Sequence, residues 1–336
     1  MDNEIKQYKI LCFGRHSDLL NLGLSIKEEL KVDETLDINV YSDRSIIDGQ
    51  SVADLKVIFI NPLKIIKEKW LNNNEIVHVI SPSGMGLMCA ICNKLKRGRV
   101  IYNVHRFDFL SFKGLKSIKV FIYTLVVFLF SDIVFVHSDK TKRFLFWKKK
   151  IIYAELPEYN FKDFTINTLL PGDEFLFFGR IDSNKGLDLF SKIAAQMPSK
   201  KFRVCGELVD KKLQNTVDKL IDQKNVTVEI GRIDQDKIPD IFQNAKCVLL
   251  PYSDGTQSGI PFLARSLKTP VLVSDVGDLA ATVSDSMYGK SLSSQNANEW
   301  VHLLENTDWH ELRKEMHNHD DKHKNDTVYK DVLNTL

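Results

Sequence analysis

The chain has 336 residues, 43% of them hydrophobic, and a formal net charge of +2. This length and this ordinary composition predict a soluble globular protein of about two domains. The polar, acidic start Met1-Asp2-Asn3-Glu4 argues against a signal peptide, and the five cysteines suit a reducing compartment, so we expect a cytoplasmic protein. Cys89 and Cys92 form a lone CxxC pair with no second pair or nearby histidine, which argues against a metal or redox site.

The charge is unevenly distributed along the chain. Residues 94–150 carry 14 Lys or Arg and three Asp or Glu, whereas the remainder is net acidic. Such a basic region predicts an anionic partner: a membrane surface, a phosphate-bearing substrate or a nucleic acid. Its aromatic residues lie in apolar runs rather than on a polar stacking face, which argues against nucleic acid. A solvated face balanced by acidic neighbours is the alternative.

Short β-rich runs alternate with helical patterns from one end of the chain to the other. The predicted strands are residues 9–13, 38–41, 56–60, 77–80, 100–104, 133–136, 175–178, 202–205, 226–229, 247–250 and 271–273. This alternation predicts an α/β fold with parallel sheets and helices on both faces. The polar stretch 155–173, which holds Pro157, Pro171 and Gly172, predicts a domain boundary. We therefore expect two Rossmann-like domains, residues 1–156 and 173–336, that face each other across a cleft.

The most hydrophobic segment, residues 120–130, is too short to cross a bilayer, which takes about 20 apolar residues. It predicts a buried core helix or a helix that partly faces lipid. Its aromatic residues and the preceding lysines suit the interface of an anionic membrane; they are Phe121, Phe128, Phe130, Lys113, Lys116 and Lys119.

Residues 251–261 read Pro-Tyr-Ser-Asp-Gly-Thr-Gln-Ser-Gly-Ile-Pro and connect an apolar run to a helical pattern. At the start of a helix the backbone N–H groups lack partners and the dipole favours negative charge. The side chains of Thr256, Gln257 and Ser258 add short donors. This loop therefore predicts a cradle for a phosphate group of a phosphorylated or nucleotide-linked small molecule. An ordinary strand-to-helix turn with a serine cap is the alternative.

In the second half of the chain, glycine turns also follow the three predicted strands that come before this loop, residues 175–178, 202–205 and 226–229. They contain Gly179, Gly206 and Gly231, and the first turn is followed by Arg180 and Lys185. A guanidinium binds phosphate oxygens with two parallel hydrogen bonds, and an ammonium acts as a point charge. The pair could neutralise a leaving diphosphate, although each residue alone is typical of a protein surface.

The segments GRIDSNKG, VCGE, IGRI, LLPYSDGTQSGIPFLA and PVLVSDVGDL, in this order, resemble the C-terminal domain of the retaining glycosyltransferases of family 4. Those enzymes have the GT-B fold. The resemblance runs from about residue 174 to residue 279. The first half resembles the family in layout alone, with a glycine turn at Gly14 and a strand that ends at His105.

The resemblance implies a nucleotide-diphosphate sugar as substrate, with no cofactor and no metal. By the same resemblance Arg180 and Lys185 act as catalytic contacts to the diphosphate, and His105 reaches the transferred sugar. A structural histidine at the strand end is the alternative for His105. The implied donor-binding residues are Gly179, Gly206, Gly231, Arg232, Ile233, Asp254, Thr256, Gln257, Ser258 and Gly259.

The chain departs from the family at two positions. Most members carry two glutamates eight positions apart, and Thr256 and Ala264 stand there instead. A subset with TQSG at this point also lacks the first glutamate. Asp254 is the nearest acidic substitute, and Asp278 lies where a second glycine is common, but both could be turn residues.

We expect from the resemblance a metal-independent, retaining transferase. The family's retaining reaction is usually drawn as attack of the acceptor on the front face of the donor sugar. The expected acceptor is lipid-linked or a polysaccharide precursor, because the first half is basic and apolar, and this would place the protein at the inner face of the cell membrane. A non-catalytic GT-B nucleotide-binding protein and a nucleotide-sugar epimerase remain as alternatives.

Overall fold

The structure is a computed structural model. It describes residues 6–12, 22–24, 26–27, 30, 36–42, 56–57, 75–80, 83–104, 115–137, 142, 150–154, 172–254, 258–284, 288–318 and 328–333. The chain divides into two compact units, Met1–Pro157 together with Lys322–Leu336, and Glu158–Asp321.

The first unit is built on a seven-stranded parallel sheet in the order β3-β2-β1-β4-β5-β6-β7. Its strands are β1 (Lys6–Cys12), β2 (Leu36–Ser42), β3 (Lys56–Val57), β4 (Ile76–Val79), β5 (Arg99–Val104), β6 (Ile133–Val136) and β7 (Ile151–Tyr153). Helix α1 (Gly84–Leu95) connects β4 to β5, and α2 (Leu115–Phe130) connects β5 to β6. The central strands are rich in Val and Ile, because both faces of a parallel sheet are covered.

Each face of this sheet has its own core. Ile10, Val40 and Ile133 pack on one face, while Val79 and Val134 pack on the other. Because successive strand residues point to opposite faces, near-continuous apolar runs are what two buried faces require.

The second unit is a six-stranded parallel sheet in the order β10-β9-β8-β11-β12-β13. Its strands are β8 (Glu174–Phe178), β9 (Lys201–Gly206), β10 (Val226–Ile230), β11 (Ala245–Leu250), β12 (Val271–Ser274) and β13 (Gly289–Leu292). Its helices are α3 (Leu187–Gln196), α4 (Gln214–Ile221), α5 (Ile238–Asn244), α6 (Ile260–Ser266), α7 (Ala281–Ser284), α8 (Ala297–Asn306) and α9 (Trp309–Asn318). The strand order reverses between β8 and β11, and ligands of such sheets bind beyond the carboxyl ends of the strands at this point.

The two parallel sheets with their helices confirm the predicted α/β class and its two Rossmann-like units. In the part of the chain that it describes, the structure has two strands beyond the eleven predicted, β7 and β13. Both are edge strands: β7 has three residues, and two of the four residues of β13 are exposed. The pattern missed β13 because this edge strand, Gly-Lys-Ser-Leu, holds little apolar sequence, and it missed β7 because three residues are too few to form a recognisable run.

The end of the chain differs from the prediction, which assigned residues 173–336 to the second domain. Helix α10 (Val328–Leu333) belongs to the first unit. Tyr329 and Val332 are buried in its core, where the Tyr329 ring centroid lies 4.4 Å from that of Phe135. The sequence before α10 is polar, so no apolar pattern indicated that the chain returns to the first unit.

Helix α2 contains the whole of the hydrophobic segment, residues 120–130, identified in the sequence. Val127 and Phe128 are fully buried in the core, whereas Ile122, Leu129 and Phe130 are exposed. Among the described residues, no helix combines the length and the apolar composition that crossing a membrane requires.

Candidate functional site

At the carboxyl end of each of β8, β9 and β10 the chain turns at a glycine. These three neighbouring turns form a continuous strip of backbone, which we call the glycine ledge. Gly179, Gly206 and Gly231 have φ of +109°, +152° and +143°, which L side chains rarely adopt. The N–H of Gly179 donates to Cys205 O over 3.0 Å, and the N–H of Gly231 donates to Gly206 O over 2.9 Å. A Cβ on Gly206 would lie 1.7 Å from Gly179 O, so the first two turns can pack this closely because that residue is glycine.

The loop between β8 and α3 carries the two predicted diphosphate contacts. The Arg180 side chain is 46% exposed, and its Nη2 lies 3.0 Å from Asp182 Oδ2. Asp182 also accepts a hydrogen bond from the N–H of Ser183 over 2.9 Å, which begins a single turn of 3-10 helix, Ser183–Lys185. The guanidinium is therefore held by a carboxylate that is itself fixed in the backbone turn.

The Lys185 ammonium lies over the ring of Tyr252, 3.8 Å from its centroid. Tyr252 belongs to the loop between β11 and α6. Its hydroxyl lies 3.1 Å from Ser258 Oγ, and its carbonyl accepts a hydrogen bond from Gln295 Nε2 over 3.1 Å. Burial raises the pKa of Tyr252 to about 12, against a smaller opposing effect of the Ser258 hydrogen bond, so the phenol keeps its proton at neutral pH.

The loops after β8 and β11 are locked together by backbone contacts. The N–H of Ser253 donates to Asn184 O, and Asn184 Nδ2 donates to Asp254 O, both over 3.1 Å. Gly186 has φ of +74°, and a Cβ there would lie 1.8 Å from Pro251 O. The structure therefore brings Lys185, Asp254 and Ser258 into one pair of interlocked loops next to Gly179 and Arg180.

Helix α6 begins at Ile260 after Gly259, with Pro261 in its first turn. The Ser258 hydroxyl is buried, and it accepts a hydrogen bond from the N–H of Ile260 over 3.3 Å. Ser258 thus joins the start of α6 to Tyr252, a structural role close to the serine cap that the sequence analysis gave as the alternative. Predicted residues Thr256 and Gln257 lie outside the described residues.

The remaining predicted residues fall into three groups. Arg232 and Ile233 follow the Gly231 turn, the first exposed and the second half-buried. Ala264, one of the two positions where the family has glutamate, is fully buried in the core of this unit. Predicted residue His105, and Gly14 of the first glycine turn, lie outside the described residues.

Sequence reasoning missed Tyr252, Asn184, Gln295 and Asp182, which hold the site together. The sequence did offer an indication for Asp182, because aspartate is a common N-cap residue at the start of a helical turn. It offered none for Tyr252, because a tyrosine after an apolar strand is typical of any core. Among the described residues, no group of three or more His, Cys, Asp or Glu side chains is placed to hold a metal ion.

The second unit matches a known family. Residues 163–321 match the family model described as "Glycosyl transferases group 1". A Klebsiella pneumoniae protein described as an uncharacterized 41.2 kDa protein in the cps region is 23% identical over 282 residues, which are 76% of this chain and 75% of that protein.

Solved structures show the same fold over nearly the whole chain. The sucrose-phosphate synthase of Thermosynechococcus elongatus superposes with a TM-score of 0.70 at 15% identity, covering 98% of this chain and 100% of its own. The UDP-GlcNAc 2-epimerase of Neisseria meningitidis, solved with UDP-GlcNAc, gives a TM-score of 0.65 at 14% identity and covers 98% and 99%. At these identities the likeness shows the fold, which is GT-B.

Proposed function

We propose that the protein is a retaining glycosyltransferase that moves a sugar from a nucleotide-diphosphate donor to a lipid-linked or polysaccharide-precursor acceptor. The observation that carries the proposal is the interlocked pair of loops that holds Arg180 and Lys185 beside the glycine ledge. The family match of the second unit supports a transferase. The location of the Klebsiella relative in a cps region supports an acceptor in polysaccharide synthesis.

The charges of this site fit the departure of a nucleoside diphosphate. As the bond between the sugar and the diphosphate breaks, negative charge grows on the leaving oxygens. Fixed cations stabilise that charge more in the transition state than in the ground state. Arg180 is oriented by Asp182 and Lys185 by the Tyr252 ring, so both are held in place before the donor arrives.

The glycine ledge gives the donor room. Backbone without side chains lets a ligand approach closely, and apart from the chain neighbours of Gly231 no described residue has an atom within 4 Å of where its Cβ would be. In our proposal the nucleotide lies along Gly206, Gly231, Arg232 and Ile233. The diphosphate lies between Arg180, Lys185 and the loop of Thr256 to Gly259. By the family resemblance, we propose His105 as the contact to the transferred sugar.

We propose that no metal and no cofactor take part. The two cations supply the charge that a metal ion supplies in other transferases, and the leaving phosphate takes the proton of the acceptor hydroxyl. The proposal names no protein nucleophile.

Arg180→Ala tests the role of the site. Loss of a fixed donor to a developing oxyanion costs about 10²–10³-fold in turnover, so we expect a fall of this size in the release of nucleoside diphosphate. Lys201→Ala is the matched control, because Lys201 is an exposed cation at the start of β9, paired with Asp173. Unchanged turnover in Arg180→Ala would refute the assigned role.

The two alternatives give different results in the same assay. An epimerase, which the shared fold with the Neisseria enzyme allows, isomerises the donor sugar in the absence of any acceptor. A non-catalytic nucleotide-binding protein binds the donor and never cleaves it. Thr256 and the buried Ala264, in place of the usual glutamates, are the observation that favours this second alternative.

A further inference from the structure

A turn at the end of α1 exposes one leucine among four basic residues. Residues 94–99 read Lys-Leu-Lys-Arg-Gly-Arg. Leu95 is 80% exposed, the most exposed of the large hydrophobic side chains in the described part of the chain. Arg97 is exposed and has φ of +60°, a conformation that favours glycine. The turn thus places a cation and a leucine in water at some cost to its own backbone.

The structure holds this turn rigidly against the sheet. Asn93 is fully buried, and its Nδ2 donates to Glu75 O over 3.1 Å and to Arg99 O over 2.8 Å. The N–H of Gly98 donates to Asn93 O over 2.9 Å, and a Cβ on Gly98 would lie 2.3 Å from Asn93 Oδ1. Leu95 and Arg97 therefore project from a fixed support.

The end of α2 brings a second apolar group to the same place. Asp132 lies 2.5 Å from Lys94 Nζ and 3.7 Å from Arg99 Nη1, and it accepts a hydrogen bond from the N–H of Val100 over 2.7 Å. Leu129 and Phe130 come just before it in the chain and are 54% and 41% exposed. Asp132 thus joins the end of α2 to the basic turn.

The exposed side of α2 continues this apolar surface. Ile122 is 49% exposed and stands seven positions before Leu129, so the two lie on one face of the helix about two turns apart. Leu125 and Val126, between them, are half-buried. The sequence analysis grouped Phe128 with the interface residues, and here it was wrong, because Phe128 is fully buried in the core.

We propose that Leu95, Lys96, Arg97, Leu129 and Phe130, which we call the basic–apolar patch, dock the first unit on an anionic membrane surface. Apolar side chains enter the boundary between headgroups and acyl chains, and the neighbouring cations meet lipid phosphates. Residues 94–99 carry four cations against the one carboxylate of Asp132, and this net positive charge selects the occupant, because anionic headgroups complement it and a like-charged second copy of the chain does not. The patch directly precedes β5 and β6 and so lies at the amino-terminal edge of this sheet, and the membrane contact does not depend on the proposed activity.

Binding of the full chain to vesicles, without donor or acceptor, tests the patch. We expect binding to vesicles of phosphatidylglycerol with phosphatidylcholine, weak binding to phosphatidylcholine alone, and a loss of binding as salt rises. The double variant Leu95→Asp, Phe130→Asp should lose binding. Ile221→Asp is its control, since Ile221 is 59% exposed on α4 of the second unit, and it should bind like the parent.

A second pair of variants separates membrane contact from folding. Arg97 and Lys268 are the two non-glycine residues with positive φ in the described part of the chain. Glycine relieves the backbone at both positions, so neither Arg97→Gly nor Lys268→Gly should lower the thermal midpoint. Arg97→Gly should nevertheless weaken vesicle binding about fivefold, the expected effect of one cation near an anionic surface, and Lys268→Gly should not.

Two results would overturn the proposal. One is equal binding to vesicles with and without phosphatidylglycerol. The other is a dimer in sedimentation that Leu95→Asp, Phe130→Asp converts to monomer while the parent fails to bind vesicles, which would assign the patch to a second copy. Either result leaves donor turnover untouched, so the proposed function is judged separately.

Discussion

Tyr252 is the side chain that connects the two halves of the candidate site. Its ring lies under the Lys185 ammonium, and its hydroxyl is paired with Ser258 at the start of α6. One buried residue thereby positions the Lys185 cation of the loop after β8 and also holds Ser258 of the loop after β11. A cation over an aromatic face contributes about 0.5–2 kcal/mol, enough to favour one position of a flexible lysine.

Two substitutions at Tyr252 separate these contacts. Tyr252→Phe removes the hydroxyl alone and should lower the free energy of unfolding by about 1 kcal/mol. Tyr252→Leu also removes the ring, so we expect a larger loss of stability together with a higher KM for the donor. Urea unfolding and donor kinetics measure the two effects. A Tyr252→Leu enzyme with the parent's KM would show that the ring does not position Lys185.

His317 on α9 makes stability depend on pH. Burial, reinforced by the charges of Arg313 and Lys268, lowers the pKa of His317 to about 4 from its usual 6.5. Between these values the unfolded chain binds a proton and the folded chain does not. The contribution of His317 to the free energy of unfolding is therefore highest above pH 6.5, where His317 is neutral in both states, and it falls as the pH drops towards 4. Since His317 is half-buried, we expect about 1–2 kcal/mol after allowing for solvent screening.

His317→Gln should flatten the pH dependence of unfolding between pH 6.5 and 5. His302→Asn is the control, because His302 is exposed on α8 and hydrogen-bonds to Asn306. Urea unfolding at the two pH values measures the slope for each protein. Equal slopes in His317→Gln and the parent would rule out His317 as the source.

Helix α10 completes the core of the first unit although it comes last in the chain. Tyr329 packs on Phe135, and its hydroxyl accepts a hydrogen bond from Asn103 Nδ2 over 3.4 Å. Asn103 also contacts two buried histidines: its Oδ1 lies 2.6 Å from His78 Nε2, and its Nδ2 lies 3.3 Å from His137 Nε2. Tyr329 of α10 thus completes a buried polar network formed by His78 of β4, Asn103 of β5 and His137, which directly follows β6.

Tyr329→Ala should cost about 3–5 kcal/mol, the usual loss for a large aromatic residue removed from a core. Tyr329→Phe keeps the ring and loses one long hydrogen bond, so its cost should stay near 1 kcal/mol or below. Chemical denaturation of both variants measures the difference. If Tyr329→Ala is as stable as Tyr329→Phe, α10 does not support this core.

The strand pattern of the sequence was sufficient for the fold class, because buried parallel strands must be apolar on both faces. It failed for β13, whose Gly-Lys-Ser-Leu sequence pairs on one side alone, and for α10, whose partners are distant in the chain. Glycine turns predicted the ledge, since positive φ restricts the residue type. The contact of Lys185 with Tyr252 depends on two loops far apart in sequence, and no local pattern encodes it.

The candidate site lies where the strands of the second unit end, in a fold of the GT-B type and within the residues that match the glycosyl transferases group 1 model. The central claim is that this site transfers a sugar from a nucleotide diphosphate. The most direct measurement is the turnover of UDP-, GDP- and ADP-sugars, with and without a membrane lipid extract, followed by released nucleoside diphosphate. We predict release that requires one donor and rises with the lipid extract. Donor binding without release under every acceptor condition would contradict the claim and favour a non-catalytic protein.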